Sequence, residues 1–359
     1  MKNHLLLFLC CLGLWSCSKD AVTKSPKQAA DVYVAGYEWG PILPSGQLHS
    51  SYSAAKYWKN GIAFNLTLTD GTQSASASSI AVSGIDVYVA GSVANDYAST
   101  LNPPEIATYW KNGHAITLAG GTGANSIAIS GTDIYVAGYG YEGGGTVAKY
   151  WKNGIAVNLE QNAYASSIAV SGADVYVAGY RGAPYKGTMG GYPPTYSAAK
   201  YWKNGVGVLT DDPNESQAWS IAISGTDVYM AGGGGYNNPA STGVARYWKN
   251  DHRIYLPVSN SSVARSIAVS GTDVYAAGSE GSFDTWITVA KYWKNGEAIT
   301  LTEGTNATSI TISGTDIYVA GYTNDYAGSV AKYWKNGSAV KLSDGSKSNF
   351  TSSIFVVEK

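Results

Sequence analysis

A four-residue string, Y-W-K-N, recurs seven times in this chain, beginning at Tyr57, Tyr109, Tyr150, Tyr201, Tyr247, Tyr292 and Tyr333. Spacings of about 40 to 52 residues belong to propellers and solenoids, so the fold has to be built from one small unit used repeatedly. An aspartate followed by a hydrophobic strand and Ala-Gly keeps the same rhythm, at Asp31, Asp86, Asp133, Asp174, Asp227, Asp273 and Asp316. Each unit reads S-I-A-V-S-G, then D-V-Y-V-A-G, then A-K-Y-W-K, then a short segment such as I-A-F-N-L-T. Those are four strands. For 359 residues, length alone predicts roughly two domains, and the repetition overrides that expectation.

The joints between strands have physical causes. Asn-Gly pairs such as Asn60-Gly61 and Asn153-Gly154 supply the positive φ angles of a two-residue type I′ hairpin, and Asp251 replaces the glycine once. In the S-G-T-D joint the glycine permits a reversal, and the aspartate is suited to accept from a backbone N–H as an Asx turn. Successive strands are therefore antiparallel neighbours. Four-stranded antiparallel sheets at this period define the blades of a β-propeller, with a linear solenoid as the competing geometry.

Residue size favours the propeller. Blades converge at an axis and diverge at a rim; here the first strand is rich in Ser, Ala and Gly, while the third carries Tyr and Trp side by side. Adjacent aromatics point to opposite faces of a strand, which is tenable only if both faces are covered by neighbouring blades. The seven motif tryptophans are thus expected in the core. Lys56 and Lys59 beside them are expected to lay their stems along the rings and keep their ammonium groups wet.

The repeat is also offset against the chain. The first unit opens directly on its second strand, at AADVYVAGY from Ala29, whereas the chain ends TSSIFVVEK on a first strand with nothing after it. Ser353 to Val357 are expected to become the innermost strand of the blade formed by residues 31 to 68, closing the ring and leaving no open sheet edge at the seam. A solenoid would need polar caps, and neither end looks like one. The expected class is all-β: a seven-bladed propeller over residues 31–359, closed by its C-terminal strand.

MKNHLLLFLCCLGLWSCSKD, at the start, has a basic Lys2, an apolar run from Leu5 to Trp15 and a small residue before Cys17. This is the pattern of a secretory signal, too short to span a bilayer. LWSC resembles a bacterial lipobox: residues 1–16 are read as a lipoprotein-type signal, Cys17 as the lipidated residue, and 17–30 as anchor and polar tether. An ordinary cleaved signal is the alternative. All three cysteines lie in this segment, which excludes disulfides, cysteine nucleophiles and cysteine metal sites from the remainder. Each buried lipid methylene contributes about 0.8 kcal/mol, so several acyl chains on one cysteine would hold a membrane firmly.

Taken together, the D-V-Y-V-A-G strand pair and the late tryptophan resemble kelch-like and other bacterial seven-bladed β-propeller repeat proteins of the secreted lipoprotein type. The likeness covers essentially residues 31 to 359. It implies the architecture and carries over no functional residue. Kelch repeats usually hold paired glycines after the second strand, which occur here only at Gly232-Gly233, and space Tyr and Trp further apart. Propeller families include enzymes, glycan binders and scaffolds, so the fold does not name an activity.

A propeller of this pattern puts its tight turns on one face and its variable connections on the other, where function is expected. The longest loops, residues 37 to 53 and 180 to 197, belong to blades nearly opposite one another. In the position just before the S-I of each first strand the chain reads Ser78, Asn125, Ser166, Trp219, Arg265, Thr308 and Ser352. Trp219 and Arg265 break the pattern in adjacent blades, and Trp39 and Trp286 lie outside the repeat in overhanging loops. Aromatics and arginine dominate binding hot spots, so these four are the candidate ligand-binding residues. For Trp219, filling a gap between blades is the competing role.

Catalytic signals are weak. GYGYEGGG, residues 138 to 145, contains G-x-G-x-x-G but sits between two antiparallel strands with no helix to meet a phosphate. His4, His49, His114 and His252 form no metal-spaced cluster. Glu38, Glu142, Asp211, Asp212, Glu215, Glu280 and Asp284 are loop carboxylates that a glycosidase could employ, with solvated charge as the simpler reading. The seven repeat aspartates are expected to be structural, and no cofactor is expected. A net charge of -1, from 24 basic and 25 acidic residues, provides no concentrated basic surface for nucleic acid.

The expected function is non-catalytic binding of a glycan or protein by a monomeric propeller, touching the membrane only through its lipid, at the bacterial outer membrane or cell surface. A carbohydrate-active enzyme and a structural assembly module are the rival readings.

Overall fold

The computed structural model describes residues 30–40, 53–66, 74–94, 105–182, 197–212, 216–234, 243–258, 261–281, 288–324 and 328–359. Cys17, Trp286, Glu215, Asp284, His49 and most of the two long loops lie outside them. The described residues form seven four-stranded antiparallel sheets and no helix. In sequence order the inner strands are Ser74–Ser83 (blade 2), Gly123–Ser130 (blade 3), Ala163–Ser171 (blade 4), Ser216–Ser224 (blade 5), Ser261–Ser270 (blade 6) and Asn306–Ser313 (blade 7). Blade 1 takes its inner strand, Ser348–Val357, from the end of the chain, paired with Asp31–Trp39 from Asp31↔Val357 to Trp39↔Ser348. The ring closes as the split repeat predicts.

The N-G hairpins adopt the expected turn: Asn60 and Gly61 have φ of 51° and 86°, and Asn153 and Gly154 have 51° and 82°. The Asx turn expected of the repeat aspartate is replaced by a side-chain clasp. Asn60 accepts the Val32 N–H through Oδ1 and donates through Nδ2 to Asp31, and the equivalent pair of bonds recurs in all seven blades. The lysine after the tryptophan completes the clasp, over the repeat tyrosine at 5.1 to 5.5 Å in every blade and within ion-pair range of the same aspartate. Strands two and three are pinned together at the tight-turn face. No metal need be invoked for the seven aspartates.

The core is divided into seven apolar clusters, each straddling two adjacent blades. Every motif tryptophan is buried to 2% exposure or less and faces the preceding blade. Such a side chain removes about 150 to 250 Å² from water, roughly 4 to 6 kcal/mol of transfer free energy as an upper estimate. Trp151, Trp293 and Trp334 also donate their indole N–H to carbonyl oxygens of that preceding blade. At the axis a belt of hydrogen bonds joins the inner strands. The serine before each repeat isoleucine accepts the isoleucine N–H of a neighbouring blade, seven times, at 3.1 to 3.4 Å.

Lys56 corrects the sequence reading. Lys59 does lie over a ring with its ammonium group partly exposed, but Lys56 shares the buried face of Trp58, two residues away, and is only 7% exposed. Lys149, Lys200, Arg246 and Lys332 are buried at the same repeat position, where blade 2 has Thr108. A buried cation requires a partner, and each of these has one.

Candidate functional site: the mouth of the variable face

Three of the carboxylates considered for catalysis, Glu38, Glu142 and Asp212, are among those partners, and Glu38, Glu142 and Glu280 stand in the ends of strands rather than in loops. Glu38 meets Lys56 at 2.5 Å and Lys347 at 2.9 Å; Glu142 meets Lys149 at 2.5 Å; Glu280 meets Lys291 at 2.6 Å. Asp212, itself buried, lies between Arg246 and Arg253, and Asp211 accepts the Arg253 backbone N–H. Two salt-bridged lysines hold the Glu38 carboxyl below its ordinary range even though burial acts the other way. A general acid needs a pKa raised towards neutrality, and Glu38 is displaced in the opposite sense. Among the described residues no group of His, Cys, Asp and Glu is placed to hold a metal ion. The segment GYGYEGGG forms a hairpin turning at Gly143 and Gly144, both with positive φ, as its setting between strands implied.

The seven positions before the S-I have a common structural identity. In every blade the pairing register of the inner strand slips there, so Ser78, Asn125, Ser166, Trp219, Arg265, Thr308 and Ser352 are each the extra residue of a β-bulge. A bulge re-aims a side chain out of the ladder, which is why such positions recur beside functional sites. Six of these residues are half-buried and Arg265 is exposed. Asn125 donates to Ala165 O in blade 4, and the Thr308 hydroxyl lies 3.2 Å from that of Thr351 in blade 1.

Trp219 occupies a particular gap. The residue after the repeat Ala-Gly is Tyr37, Tyr139, Tyr180 or Tyr322 in four blades, but Gly233 in blade 5. A Cβ on Gly233 would stand 3.3 Å from two ring carbons of Trp219, so the bulge tryptophan covers the place of the missing tyrosine. In the next blade Arg265 is exposed. Its positive charge acts on the phenol of Tyr322 in blade 7, whose pKa burial pushes up. Blades 5, 6 and 7 therefore present an indole, a guanidinium and a phenol in succession.

From Tyr322 an aromatic run continues into blade 1. Tyr322 meets Phe350 edge-on with ring centroids 5.0 Å apart, Phe350 stacks on Tyr37 at 5.1 Å, and Tyr37 lies 6.5 Å from Trp39, which is 45% exposed. A comparable set, Tyr139, Tyr164 and Tyr180, spans blades 3 and 4, and burial pushes the Tyr180 phenol up to about 12. The structure thus joins blade 7 to Trp39 through three rings, Tyr322, Phe350 and Tyr37, that sequence reasoning missed. Trp219 stands three blades from Trp39, on the far side of the ring. A usable signal existed in Phe350, one of only five phenylalanines, flanked in its inner strand by the polar Asn349 and Thr351.

No protein-family model matches the chain, and no curated protein matches it. Among solved structures it is similar to the β-propeller domain of the trilobed protease from Pyrococcus furiosus, at 10% identity and a TM-score of 0.49 over 88% of this chain and 94% of that one. It is also similar to the acylaminoacyl peptidase of Pyrococcus horikoshii, at 12% identity and 0.44 over 75% and 52%, and to TolB from Acinetobacter baumannii, at 10% and 0.39 over 77% and 65%. The chain spans about half the length of that peptidase. Likenesses this distant carry no argument about activity, and the seven-bladed architecture rests on the strand pairing itself.

Proposed function

We propose that the protein is a non-catalytic binding module of the bacterial cell envelope, a kelch-like lipoprotein propeller held by lipid on Cys17 and presenting its variable face to a glycan or protein. The observation that carries this reading is the break in seven-fold symmetry at the bulge positions. A packing residue should look alike in every blade, because every blade meets the same neighbours, whereas a ligand touches only some of them. Trp219 and Arg265 depart from the small polar pattern in adjacent blades, and the exposed Arg265 answers no packing need. Engagement of Glu38, Glu142, Asp212 and Glu280 by lysine or arginine weighs against the glycosidase reading.

The test is a glycan array together with an envelope pull-down, using residues 18–359 as the bait. Trp219→Ala and Arg265→Ala should each weaken the interaction found by about tenfold or more while leaving the fold intact. Unchanged affinity in well-folded variants would remove the mouth from consideration. Turnover of an oligosaccharide panel would restore the enzyme reading, and a stoichiometric envelope partner insensitive to both substitutions would favour an assembly module. The anchor is tested by mass spectrometry of the mature N-terminus, expected to begin at a lipid-modified Cys17; an unmodified terminus elsewhere would remove it.

A further inference from the structure

We infer that blades 1 to 4 rest on a lipid bilayer, with Ile62, Ile85, Ile155 and Val206 on their tight turns entering its interface. The inference rests on the reading that Cys17 carries lipid, and it extends membrane contact from the anchor to a face of the propeller.

Ile62, Ile155 and Val206 each follow an N-G turn, paired with Lys59, Lys152 and Lys203, and Ile85 sits in the turn that joins Ser83 to Asp86. The Asn–Asp clasp pins both kinds of turn at one end of the blade, so all four side chains stand on the tight-turn face. In chain order they are exposed by 66%, 97%, 73% and 70%, the four highest values for large hydrophobic side chains among the described residues. Each of four consecutive blades supplies one. At the same two turn positions blades 5 to 7 carry only threonine, His252, Glu297 and Ser338. A solvated turn gains nothing from an aliphatic tip, whereas an apolar arc along half of one face suits a surface it can enter.

The place where the chain arrives selects a bilayer as that surface. Asp31 opens its strand of blade 1 at the same face, bonded to Asn60 in the turn that precedes Ile62. Residues 18–30 thus lead from Cys17 to the arc itself. Fully extended they span no more than about 45 Å. Lipid on Cys17 would therefore keep the face beside the membrane at a high effective concentration, where shallow insertion of a few side chains suffices. The clasp lysines of these blades, Lys59, Lys111, Lys152 and Lys203, are each paired with an aspartate, so the contact is apolar rather than driven by net charge. A second copy packed on this face would have to cover the exit of both tethers. With the arc on the bilayer, the variable face is turned away from it.

The experiment is site-specific fluorescence on the mature chain reconstituted in vesicles of phosphatidylethanolamine and phosphatidylglycerol. Residues 18–359 contain no cysteine, so a single introduced cysteine takes one environment-sensitive label. Labels at Ile85→Cys and Ile155→Cys should be quenched by nitroxides on the lipid acyl chains, at low and at raised salt alike. Labels at Thr226→Cys, in the equivalent turn of blade 5, and at Tyr141→Cys, on the variable face, should not be. Ile62→Asp with Val206→Asp should abolish the quenching at position 85; both residues are exposed, and circular dichroism checks the fold. Unquenched labels at positions 85 and 155, equal quenching at position 226, loss of quenching at raised salt, or indifference to the two aspartates would overturn the inference. Burial of the position 85 label in a dimer without vesicles would overturn it in favour of a second copy. If mass spectrometry finds no lipid on Cys17, the anchor reading fails separately, and the same variants held on chelating lipids by a histidine tag ahead of Ser18 decide the face: quenching at position 85 upholds it, and an aqueous label there overturns it.

Discussion

The backbone N–H of Ile80 donates to the side-chain oxygen of Ser353 at 3.4 Å, across 273 positions of sequence. One bond of the axial belt thereby ties blade 2 to the strand that ends the chain. Ser353 and Ile354 act as a pair in it, since the Ile354 N–H donates in turn to Ser309 of blade 7. At the other end of the same strand Lys359 meets Asp31 at 2.8 Å. The seam carries the same bonds as any other blade boundary.

Deleting residues 352–359 should therefore do more than trim an end. It removes the buried Ile354 from the cluster shared by blades 7 and 1, strips Asp31–Ala35 of their inner partner and breaks the belt twice. Exposed edges and apolar faces lead to aggregation. The expected outcome, by thermal melting and size-exclusion chromatography, is a strongly lowered Tm or loss of monomer. A monomeric truncation melting within about two degrees of the parent would contradict closure by this strand.

Asp212 is the sharpest test of the buried ion pairs. It is buried between Arg246 and Arg253, whose guanidinium groups both lie over Tyr255, at 5.3 and 4.9 Å. Asp212→Asn keeps the shape but leaves the buried Arg246 facing a neutral amide. Removing one partner of a buried pair typically costs about 3 to 5 kcal/mol. Urea unfolding should show a loss of that order. A loss below about 0.5 kcal/mol would place the pair among solvated surface bridges.

The sequence disclosed the blades, their order and their closure because each is a local pattern repeated seven times. It disclosed the asymmetry at Trp219 and Arg265 for the same reason, since a departure shows only against a repeat. What it hid are contacts between blades. Ser353 and its six equivalents read as small residues at a crowded axis, and nothing in S-I signals that the serine bonds the next blade. Tyr37 and Tyr322 read as ordinary repeat tyrosines until Phe350 is seen between them. Lys56 and Lys59 look alike beside a tryptophan in the sequence, but strand alternation puts Lys56 on the face of Trp58 and Lys59 on the opposite one.

The repeat clasp makes acid sensitivity predictable. Lysine and asparagine partners hold the carboxyls of Asp133, Asp174 and Asp227 below the ordinary aspartate value of 3.8, and asparagine with lysine does so at Asp86 and Asp273. A carboxyl with a lowered pKa in the folded state contributes stability that is present above its unfolded pKa. That contribution is lost as pH falls through the folded value. Stability should be level from neutral pH to about 5 and fall steeply below about 4. Denaturant midpoints against pH measure this, and Asp133→Asn should flatten the slope; an unchanged acid limb would dissociate the clasp from stability.

Trp219 can be separated into its two roles by moving the repeat back to blade 5. Gly233→Tyr alone forces a second ring into space that Trp219 already covers, its Cβ 3.3 Å from the indole, and should destabilise the fold by about 1 to 3 kcal/mol. Adding Trp219→Ser reproduces the pairing of small bulge residue and tyrosine seen in blade 4, with Ser166 and Tyr180, and should recover much of that loss. If the indole only fills the gap, the double variant will bind as the parent does. If it is also a ligand anchor, the double variant will melt near the parent yet bind at least tenfold more weakly, because a tyrosine on the second strand starts from a different backbone position than a bulge tryptophan. Weak binding with recovered stability is the expected outcome. Parental affinity in the double variant would remove Trp219 from the candidate ligand contacts and leave it as packing.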